Sequence, residues 1–185
     1  RTAAEEAGVP HEMIVVDDAS TDATGQLAAE AGASVVRVNH RQIAATRNSG
    51  ARMARGDILF FVDADTLANA EAVLAGLDAL RCGAAGGGCL VCFDERPPLW
   101  ARVAYAVAER TARVFQVASG CFLFCTRHAY EASGGFCELY FAGEESVFVR
   151  ALKRQGRFVV VKPTRSEEHT SELQSLAYLV CRLLL

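Results

Sequence analysis

The chain has 185 residues, of which 51% are hydrophobic and 22% charged, and its formal net charge is -3. This composition predicts one globular domain with a sizeable core, without the basic field that would favour nucleic acid. No apolar stretch reaches the ~18 residues of a membrane-spanning helix, and the first residues, RTAAEE, contain no signal-peptide core. Because the sequence lacks an initiator Met, we expect a fragment of a longer protein.

Apolar runs alternate with helical segments along the chain. Short runs rich in β-branched and aromatic residues predict strands at residues 11–17, 34–38, 57–62, 84–93, 119–125 and 157–161. Capping residues and composition predict helices at residues 20–30, 41–55, 69–80, 99–113, 127–132 and 144–155. The first of these begins at the polar residues 20–22, and Asn69 caps the third. This alternation predicts an α/β fold with a mostly parallel sheet flanked by helices.

Carboxylates follow two of the predicted strands. Asp63 and Asp65 come directly after the run ILFFV, and Asp17 and Asp18 after MIVV. Open α/β folds bind ligands at this edge of the sheet, and such close like charges ionise readily only beside a cation. Oxygen ligands with room for phosphate suit Mg2+ or Mn2+. The pattern therefore indicates a metal–diphosphate site, with an acidic helix-capping turn as the alternative.

Arg47 and Asn48 lie between the two acidic strand ends, in the segment ATRNSG. An arginine there could grip a diphosphate through charge-assisted hydrogen bonds, and the alternative is a solvated arginine on a surface helix. An aspartyl-phosphate receiver or phosphatase would instead need a lysine at a later strand end. Before the last twenty residues, only Lys153 and Lys162 are available, and both come late.

Seven cysteines occur in the chain. Cys89 and Cys92 have CxxC spacing, and Cys121 and Cys125 lie four apart, but all four sit in apolar runs rather than in the polar turns of a zinc site. Alternation along a strand predicts that Cys121 and Cys125 share one face. We therefore expect reduced core thiols, which pack as small hydrophobes, and a cytoplasmic protein.

Three segments carry a family resemblance: VVDDASTDAT (residues 15–24), AATRNSGARMARGDILFFVDAD (residues 44–65) and SGCFLFCTRHAYEASGGFCELYFAGEE (residues 119–145). Their content, order and separation resemble the signature blocks of the family-two glycosyltransferases. The resemblance implies a GT-A fold, in which a nucleotide-binding half and an acceptor-binding half share one sheet. It also implies inverting transfer of a sugar from a nucleotide-sugar donor to an acceptor hydroxyl, with Mn2+ or Mg2+ as the cofactor.

The resemblance assigns roles to the two acidic strand ends. Asp17 and Asp18 match an acidic pair that contacts the nucleoside. Asp63 and Asp65 match the DxD motif that holds metal and diphosphate, with Asp65 as the direct metal ligand. The two strand ends are thus expected to bind different parts of one nucleotide-sugar.

The resemblance assigns further roles near the centre and the end of the fold. Arg47 and Asn48 match an Arg-Asn pair near the nucleotide, and residues 134–136 (GGF) match the loop that leads to the acceptor site. Glu144 and Glu145 fall where the family usually has Glu-Asp, with the Asp as catalytic base. A carboxylate one methylene longer shifts the base by about a bond length, and general-base catalysis depends on geometry. Either Glu145 is the base in a shifted pocket, or Glu144 serves, or both form an acidic first helical turn.

The two ends of the chain depart from the family pattern. The family's first strand, with a Pro-x-x-Asn-Glu type motif that lines the base, is missing. Residues 165–175 (RSEEHTSELQS) resemble a translated sequencing adapter, so we expect a partial GT-A domain over residues 1–164 and a non-native tail over residues 165–185.

Two other activities stay open: a nucleotide-sugar-binding module without turnover, and a GT-A nucleotidyltransferase. The latter would need a glycine-rich loop with Arg and Lys before the first residue. The expected partners are the donor and a glycan or lipid-linked hydroxyl acceptor, with peripheral association at the cytoplasmic face of a membrane and no nucleic acid.

Overall fold

A computed structural model describes residues 3–89, 110–111, 118, 120–140, 143–161 and 177–183 of the chain. The described strands are β1 (His11–Asp18), β2 (Ser34–Val38), β3 (Ile58–Asp63), β4 (Ala84–Cys89), β5 (Phe122–Thr126), β6 (Arg157–Val161) and β7 (Ala177–Leu183). The described helices are α1 (Ala3–Glu6), α2 (Thr24–Glu30), α3 (Ile43–Met53), α4 (Ala70–Arg81), α5 (Arg127–Ser133) and α6 (Glu144–Gln155).

The strands form one sheet in the order β2-β1-β7-β3-β5-β4-β6. Strands β1, β2, β3, β4 and β6 run in one direction, and β5 and β7 run in the other. This arrangement confirms the predicted α/β fold with a mostly parallel sheet. It also places the carboxyl ends of β1 and β3 at the same edge of the sheet, as the acidic strand ends require.

Strand β7 lies between β1 and β3 and pairs with both in antiparallel register. Its residues 177–183 belong to the segment that the sequence predicts to be a non-native tail, and that origin stays a prediction. In the structure this segment joins the sheet by pairing with both β1 and β3. It thereby satisfies backbone N–H and C=O groups on the facing edges of these two strands. At its first two positions β7 separates Asp17, opposite Ala177, from Asp63, opposite Tyr178.

The sheet buries an apolar core on each face. One core packs the sheet residues Leu59, Phe61 and Leu123 against α3, α5 and α6, and Phe136 and Phe148 stack there with ring centroids 4.0 Å apart. The other core packs Phe60, Val62, Phe122 and Phe124 against α1 and α4. Asp18 lies on the α3 face because it follows the alternation of Ile14 and Val16, and Asp63 lies there because it follows Leu59 and Phe61.

Most predicted element boundaries agree with the structure within a few residues, and α6 and β6 agree at both ends. Asn69 caps α4 as predicted, its side chain accepting a hydrogen bond from the Ala72 N–H. The predicted strand continues beyond Cys89 into residues that are not described. Of the predicted helix at residues 99–113, the structure describes only residues 110–111, which are helical.

Two local predictions are wrong. Helix α2 begins at Thr24 without a side-chain cap, because the Asp22 carboxylate instead accepts the Thr24 N–H in a preceding turn. Cys121 and Cys125 pack against opposite cores, because Cys121 lies in a turn before β5 and strand alternation does not extend to it.

Cys82, Cys125 and Cys137 are free thiols, and Cys125 lies in the core. Burial raises the pKa of the Cys125 thiol far above its usual range, so this group stays protonated and packs as a small apolar side chain. The expected reduced core thiols are thus present within this part of the chain. Among the described residues, a helix with the length and hydropathy of a membrane span is absent.

Candidate active site at the carboxyl edge of the sheet

Helix α3 connects the two acidic strand ends through adjacent side chains. Thr46 donates a hydrogen bond from its hydroxyl to Asp18 at 2.8 Å, and Arg47 donates to Asp63 at 2.6 Å. Both α3 residues are almost fully buried. The helix therefore lies across the sheet edge and contacts β1 and β3, although these two strands do not pair with each other.

Asp18 is a structural carboxylate in this arrangement. It is 1% exposed and accepts hydrogen bonds from the backbone N–H groups of His40 at 2.6 Å and Gln42 at 3.2 Å, in addition to the Thr46 hydroxyl. Burial alone would raise the pKa of Asp18, but the hydrogen bonds from Arg41, Thr46, His40 and Gln42 outweigh it and lower the pKa. Asp18 thus stays ionised and fixes the turn that leads into α3.

Asp17 faces the opposite side of β1 and lines a cavity of about 450 Å³. One carboxylate oxygen of Asp17 accepts the Ser20 N–H at 3.0 Å. The Ser20 hydroxyl is buried and has no hydrogen-bond partner within the described part of the chain. Gly25 leaves the necessary space, since a Cβ there would lie 2.6 Å from Asp17 Oδ2. Arg37 completes the polar wall, so the cavity offers acceptors and donors to a ligand.

Arg47 is the centre of a buried ion network. Its Nη2 donates to Asp63 Oδ1 at 2.6 Å and to the Gly120 carbonyl at 3.1 Å, and its Nη1 donates to Glu144 Oε1 at 3.2 Å. The Phe136 ring covers the guanidinium with its centroid 5.2 Å from Cζ. Arg47 is 3% exposed, so the alternative of a solvated surface arginine is wrong.

The acidic groups around Arg47 outnumber it. Burial raises the pKa of Asp63, Arg47 opposes this rise, and the negative charges of Asp65 and Glu145 add to it. Burial also raises the pKa of Glu144, to which the Glu145 charge contributes. Among the described residues, four carboxyl groups thus lie beside one guanidinium, an excess of acidic groups that an additional cation would relieve.

Asp65 and Glu145 are the accessible acids of the group. Asp65 is exposed beyond the end of β3, and its nearest side-chain bond is a long one of 3.5 Å from the Thr66 hydroxyl. Glu145 is half-buried in the first turn of α6 and packs against Gly120, where a Cβ would lie 3.0 Å from Glu145 Cγ. Asp65 is therefore free to bind a ligand, and Glu145 lines the same site.

Asn48 makes a different contribution from Arg47. Its Oδ1 accepts the Phe136 N–H at 2.9 Å and the Tyr130 hydroxyl at 2.7 Å, and its Nδ2 donates to the Phe136 carbonyl at 2.9 Å and to Glu138 at 2.8 Å. In this structure the Asn48 amide is therefore occupied by the protein and fixes the loop that carries the Phe136 ring. The contact of Asn48 with a nucleotide stays a prediction.

The described residues contain no group of three or more His, Cys, Asp or Glu side chains that could hold a metal ion without help. A divalent cation that binds diphosphate needs fewer protein ligands, because phosphate and water oxygens complete its shell. The exposed Asp65 next to Asp63 fits that requirement, since both supply hard oxygen donors and the neighbouring acids favour added positive charge. Mn2+ and Mg2+ both suit this donor set.

The sequence predicts roles in the site for Asp17, Asp18, Arg47, Asn48, Asp63, Asp65, Glu144 and Glu145. The structure joins Arg47 to Asp63 and Glu144, with Asp65 and Glu145 beside them, and sets Asp18 against Thr46 of the same helix. Asp17 instead lines a cavity on the other side of β1, and Asn48 bonds to the loop at Phe136. The sequence does not single out Thr46, Gly120 or the Ser20 hydroxyl. Thr46 could have been found from its position, because it immediately precedes Arg47 in the segment ATRNSG. Gly120 acts through its carbonyl, which carries no side-chain signal.

Comparisons with known proteins agree with the fold. The protein-family model "Glycosyl transferase family 2" matches residues 3–132, which is more than half of the chain. No curated protein sequence matches the chain significantly.

Similar solved structures include "Crystal Structure of a Mycobacterial Protein", with a TM-score of 0.57 and 23% identity over 84% of this chain and 58% of the other. Glucosyl-3-phosphoglycerate synthase from Mycobacterium tuberculosis in complex with uridine diphosphate has a TM-score of 0.59 and 18% identity, over 86% of this chain and 61% of the other.

The same synthase in complex with Mn2+ and uridine-diphosphate-glucose has a TM-score of 0.59 and 17% identity, over 85% of this chain and 60% of the other. The chain thus spans about 60% of the length of these synthase structures, and at these identities the likeness concerns the fold. With its GT-A fold and its family match, the chain belongs to glycosyl transferase family 2.

Proposed function

We propose that the protein transfers a sugar from a nucleotide-sugar donor to an acceptor hydroxyl, with inversion at the anomeric carbon and with the help of a divalent cation. The observation that carries the proposal is the convergence of Arg47, Asp63 and Glu144 at one edge of the sheet, with Asp65 and Glu145 beside them. This edge combines an arginine suited to bind diphosphate, carboxylate oxygens suited to bind a metal ion, and a candidate base.

The donor would lie along this edge. Asp63 and Asp65 would hold Mn2+ or Mg2+, which neutralises the charge that grows on the departing nucleoside diphosphate. Arg47 would bind the diphosphate from the α3 side. The cavity beside Asp17 supports a place for the nucleoside, because it combines a carboxylate with the Ser20 hydroxyl, which has no hydrogen-bond partner among the described residues. The Asp18 carboxylate already accepts hydrogen bonds from His40, Gln42 and Thr46, so it would affect this pocket only by fixing the turn that leads into α3.

Glu145 is the better candidate for the catalytic base. Its carboxylate is half-buried and shares the electrostatic environment of Asp63, whereas the Glu144 carboxylate is bound to Arg47. Glu145 would accept the proton of the acceptor hydroxyl as that oxygen attacks the anomeric carbon from the side opposite the diphosphate. The acceptor would be a glycan or a lipid-linked hydroxyl, bound on the protein in the cytoplasm or at the cytoplasmic membrane face.

The test is turnover of nucleotide-sugars at saturating Mn2+, measured as release of nucleoside diphosphate, with uridine-diphosphate-glucose as the first donor tried. We expect Glu145→Gln to lower the rate by about 10²–10⁴-fold, because the amide cannot take a proton. Asp65→Ala should lower it by about 100-fold or more, because a metal ligand is lost. Glu71→Gln is the matched control for Glu145, since Glu71 is an exposed acid in the first turn of α4.

The outcomes separate the candidate functions. Wild-type rates in Glu145→Gln or Asp65→Ala would show that the assigned role of that residue is wrong. Binding of nucleoside diphosphate by the wild-type protein without any turnover, donor hydrolysis included, would favour a binding module. That alternative is considered because Glu145 stands where the family usually has an aspartate as the base. Formation of a nucleotide-sugar from a nucleoside triphosphate and a sugar phosphate would favour a nucleotidyltransferase.

A further inference from the structure

Glu144 and Glu145 are neighbours in sequence but occupy different environments. Glu144 is 3% exposed and its Oε1 accepts a hydrogen bond from Arg47 Nη1 at 3.2 Å. Glu145 is half-buried against Gly120. A carboxylate committed to a buried guanidinium is poorly placed to take a proton from an incoming hydroxyl, so the two glutamates are suited to different tasks.

The contact with Glu144 determines how Arg47 is oriented. A guanidinium is planar, and its two terminal nitrogens point in different directions in a fixed fork. In Arg47 one nitrogen is held by Glu144, and the other is shared by Asp63 and the Gly120 carbonyl. The second nitrogen is therefore aimed at the end of β3, beside the carboxylate pair.

The Phe136 ring closes a third side of the guanidinium. Its centroid lies 5.2 Å from Arg47 Cζ, and the Asn48 side chain holds the Phe136 backbone through both its N–H and its carbonyl. The cover is rigid because Asn48 belongs to the same helix as Arg47. Arg47 is thus constrained by two carboxylates, a ring and a carbonyl, which come from different parts of the chain.

We propose that Glu144 is a positioning residue that holds Arg47 in the orientation needed to bind the donor diphosphate. This inference rests on the proposed function. Without the Glu144 charge, Arg47 would lose the anchor on its far nitrogen and would turn toward Glu145, since its bond to Asp63 is already made. It would then occupy the carboxylate that takes the acceptor proton, and it would present less of its fork to the diphosphate.

The inference predicts a specific coupling between Glu144 and Arg47. Glu144→Gln should weaken the affinity for uridine diphosphate by about tenfold in the wild-type background, a loss of about 1.4 kcal/mol of binding free energy. In an Arg47→Lys background the same change should weaken affinity by less than about twofold, because a lysine has no fork for Glu144 to orient. Glu71→Gln, at an exposed position in the first turn of α4, is the control and should change this affinity by less than about twofold.

The experiment is a double-mutant cycle on the full chain. Affinity for uridine diphosphate is measured by calorimetry in Mn2+ for the wild type, Glu144→Gln, Arg47→Lys and the double variant, with thermal unfolding to show that each is folded. If Glu144→Gln does not fold, Phe136→Leu takes its place. That change removes the ring cover of Arg47 and should weaken affinity by about threefold, again only when Arg47 is present.

The results decide between the possibilities. A loss of affinity confined to proteins that carry Arg47 supports the inference. An equal loss in both backgrounds, or no loss in either, overturns the inference alone. Absence of uridine diphosphate binding by the folded wild-type protein contradicts the proposed function as well. A loss of turnover in Glu144→Gln with unchanged affinity would identify Glu144 as the base and overturn its positioning role.

Discussion

The two acidic strand ends use the same residue type for opposite purposes. Asp18, at the end of β1, and Asp63, at the end of β3, face the same side of the sheet, and adjacent residues of α3 contact them. Asp18 is surrounded by hydrogen-bond donors that lower its pKa, whereas burial beside other acids raises the pKa of Asp63. A carboxylate that the protein satisfies stabilises the fold, and one that the protein leaves under-compensated is available to a ligand.

The surroundings of each carboxylate explain this difference. Backbone N–H groups from the turn before α3 satisfy Asp18, and they can do so because Arg41 adopts a positive φ of 49° that turns the chain back toward the strand end. Among the described residues, the Asp63 carboxylate is instead paired with a long side chain from another element, Arg47. Strain of this kind at Arg41 persists only where the surroundings fix it, and here the Asp18 carboxylate provides the fixing contacts.

The largest expected effect is a loss of stability when Asp18 is changed, which tests its structural role. Asp18→Asn should lower the free energy of unfolding by about 3 kcal/mol at pH 7, because the amide nitrogen replaces an acceptor among buried donors. Urea denaturation measures the change. Asp78→Asn is the control and should cost less than about 0.5 kcal/mol, since Asp78 is exposed on α4.

The pH dependence of the free energy of unfolding tests the same assignment of Asp18. The folded pKa of Asp18 is lowered, so its stabilising contribution is fully present above the pKa of the unfolded chain, near 3.9, and is lost as pH falls through the folded pKa. The stability difference between wild type and Asp18→Asn should therefore shrink below about pH 4. A difference that grows on acidification would contradict the assignment of Asp18 as an ionised structural carboxylate.

A smaller change in stability is expected for Asp63, which tests whether this carboxylate is left for a ligand. Asp63→Asn should change the free energy of unfolding by no more than about 1 kcal/mol at pH 7, and in the stabilising direction, although it removes a buried salt bridge. The folded pKa of Asp63 is raised, so its ionisation costs stability once pH rises through the unfolded pKa and up to the folded one. The amide oxygen can still accept from Arg47, and Glu144 still balances the guanidinium.

The same urea titrations check this second variant, with Asp78→Asn again as the control. The advantage of Asp63→Asn over wild type should appear only above about pH 4, because there the unfolded chain ionises Asp63 while the raised folded pKa still opposes ionisation in the folded state. A destabilisation as large as that of Asp18→Asn would show that both strand ends are structural. In that case the contrast between them would disappear.

The sequence could predict the fold and the edge of the sheet, but it could not divide the tasks. Two apolar strands that end in carboxylates predict that Asp17, Asp18, Asp63 and Asp65 meet at one edge, because parallel strands share their carboxyl ends. Whether a carboxylate is satisfied depends on backbone groups brought there by turns, such as residues 40–42, whose conformation has no side-chain pattern. Asp17 and Asp18 face opposite sides because successive residues of a strand alternate, and the cavity beside Asp17 also depends on the absence of a side chain at Gly25.

The division between the two glutamates has a similar origin. Both Glu144 and Glu145 are acidic residues in the first turn of a helix, where the helix dipole favours them equally. Their difference arises because Arg47, far away in sequence, reaches only Glu144. Strand β7 illustrates the same limit, since its place between β1 and β3 depends on two unpaired strand edges and not on a pattern in residues 177–183.

The most direct test of the central claim, that the β3 end binds the metal–diphosphate and Asp18 at the β1 end does not, is Mn2+ binding in the presence of uridine diphosphate. Electron paramagnetic resonance of free Mn2+ would be followed for the wild type, Asp65→Asn and Asp18→Asn at a temperature at which all three are folded. Asp65→Asn is expected to lose at least about tenfold in Mn2+ affinity, and Asp18→Asn to stay within about twofold of wild type. Wild-type affinity in Asp65→Asn, or a larger loss in Asp18→Asn than in Asp65→Asn, would contradict metal binding at the β3 end.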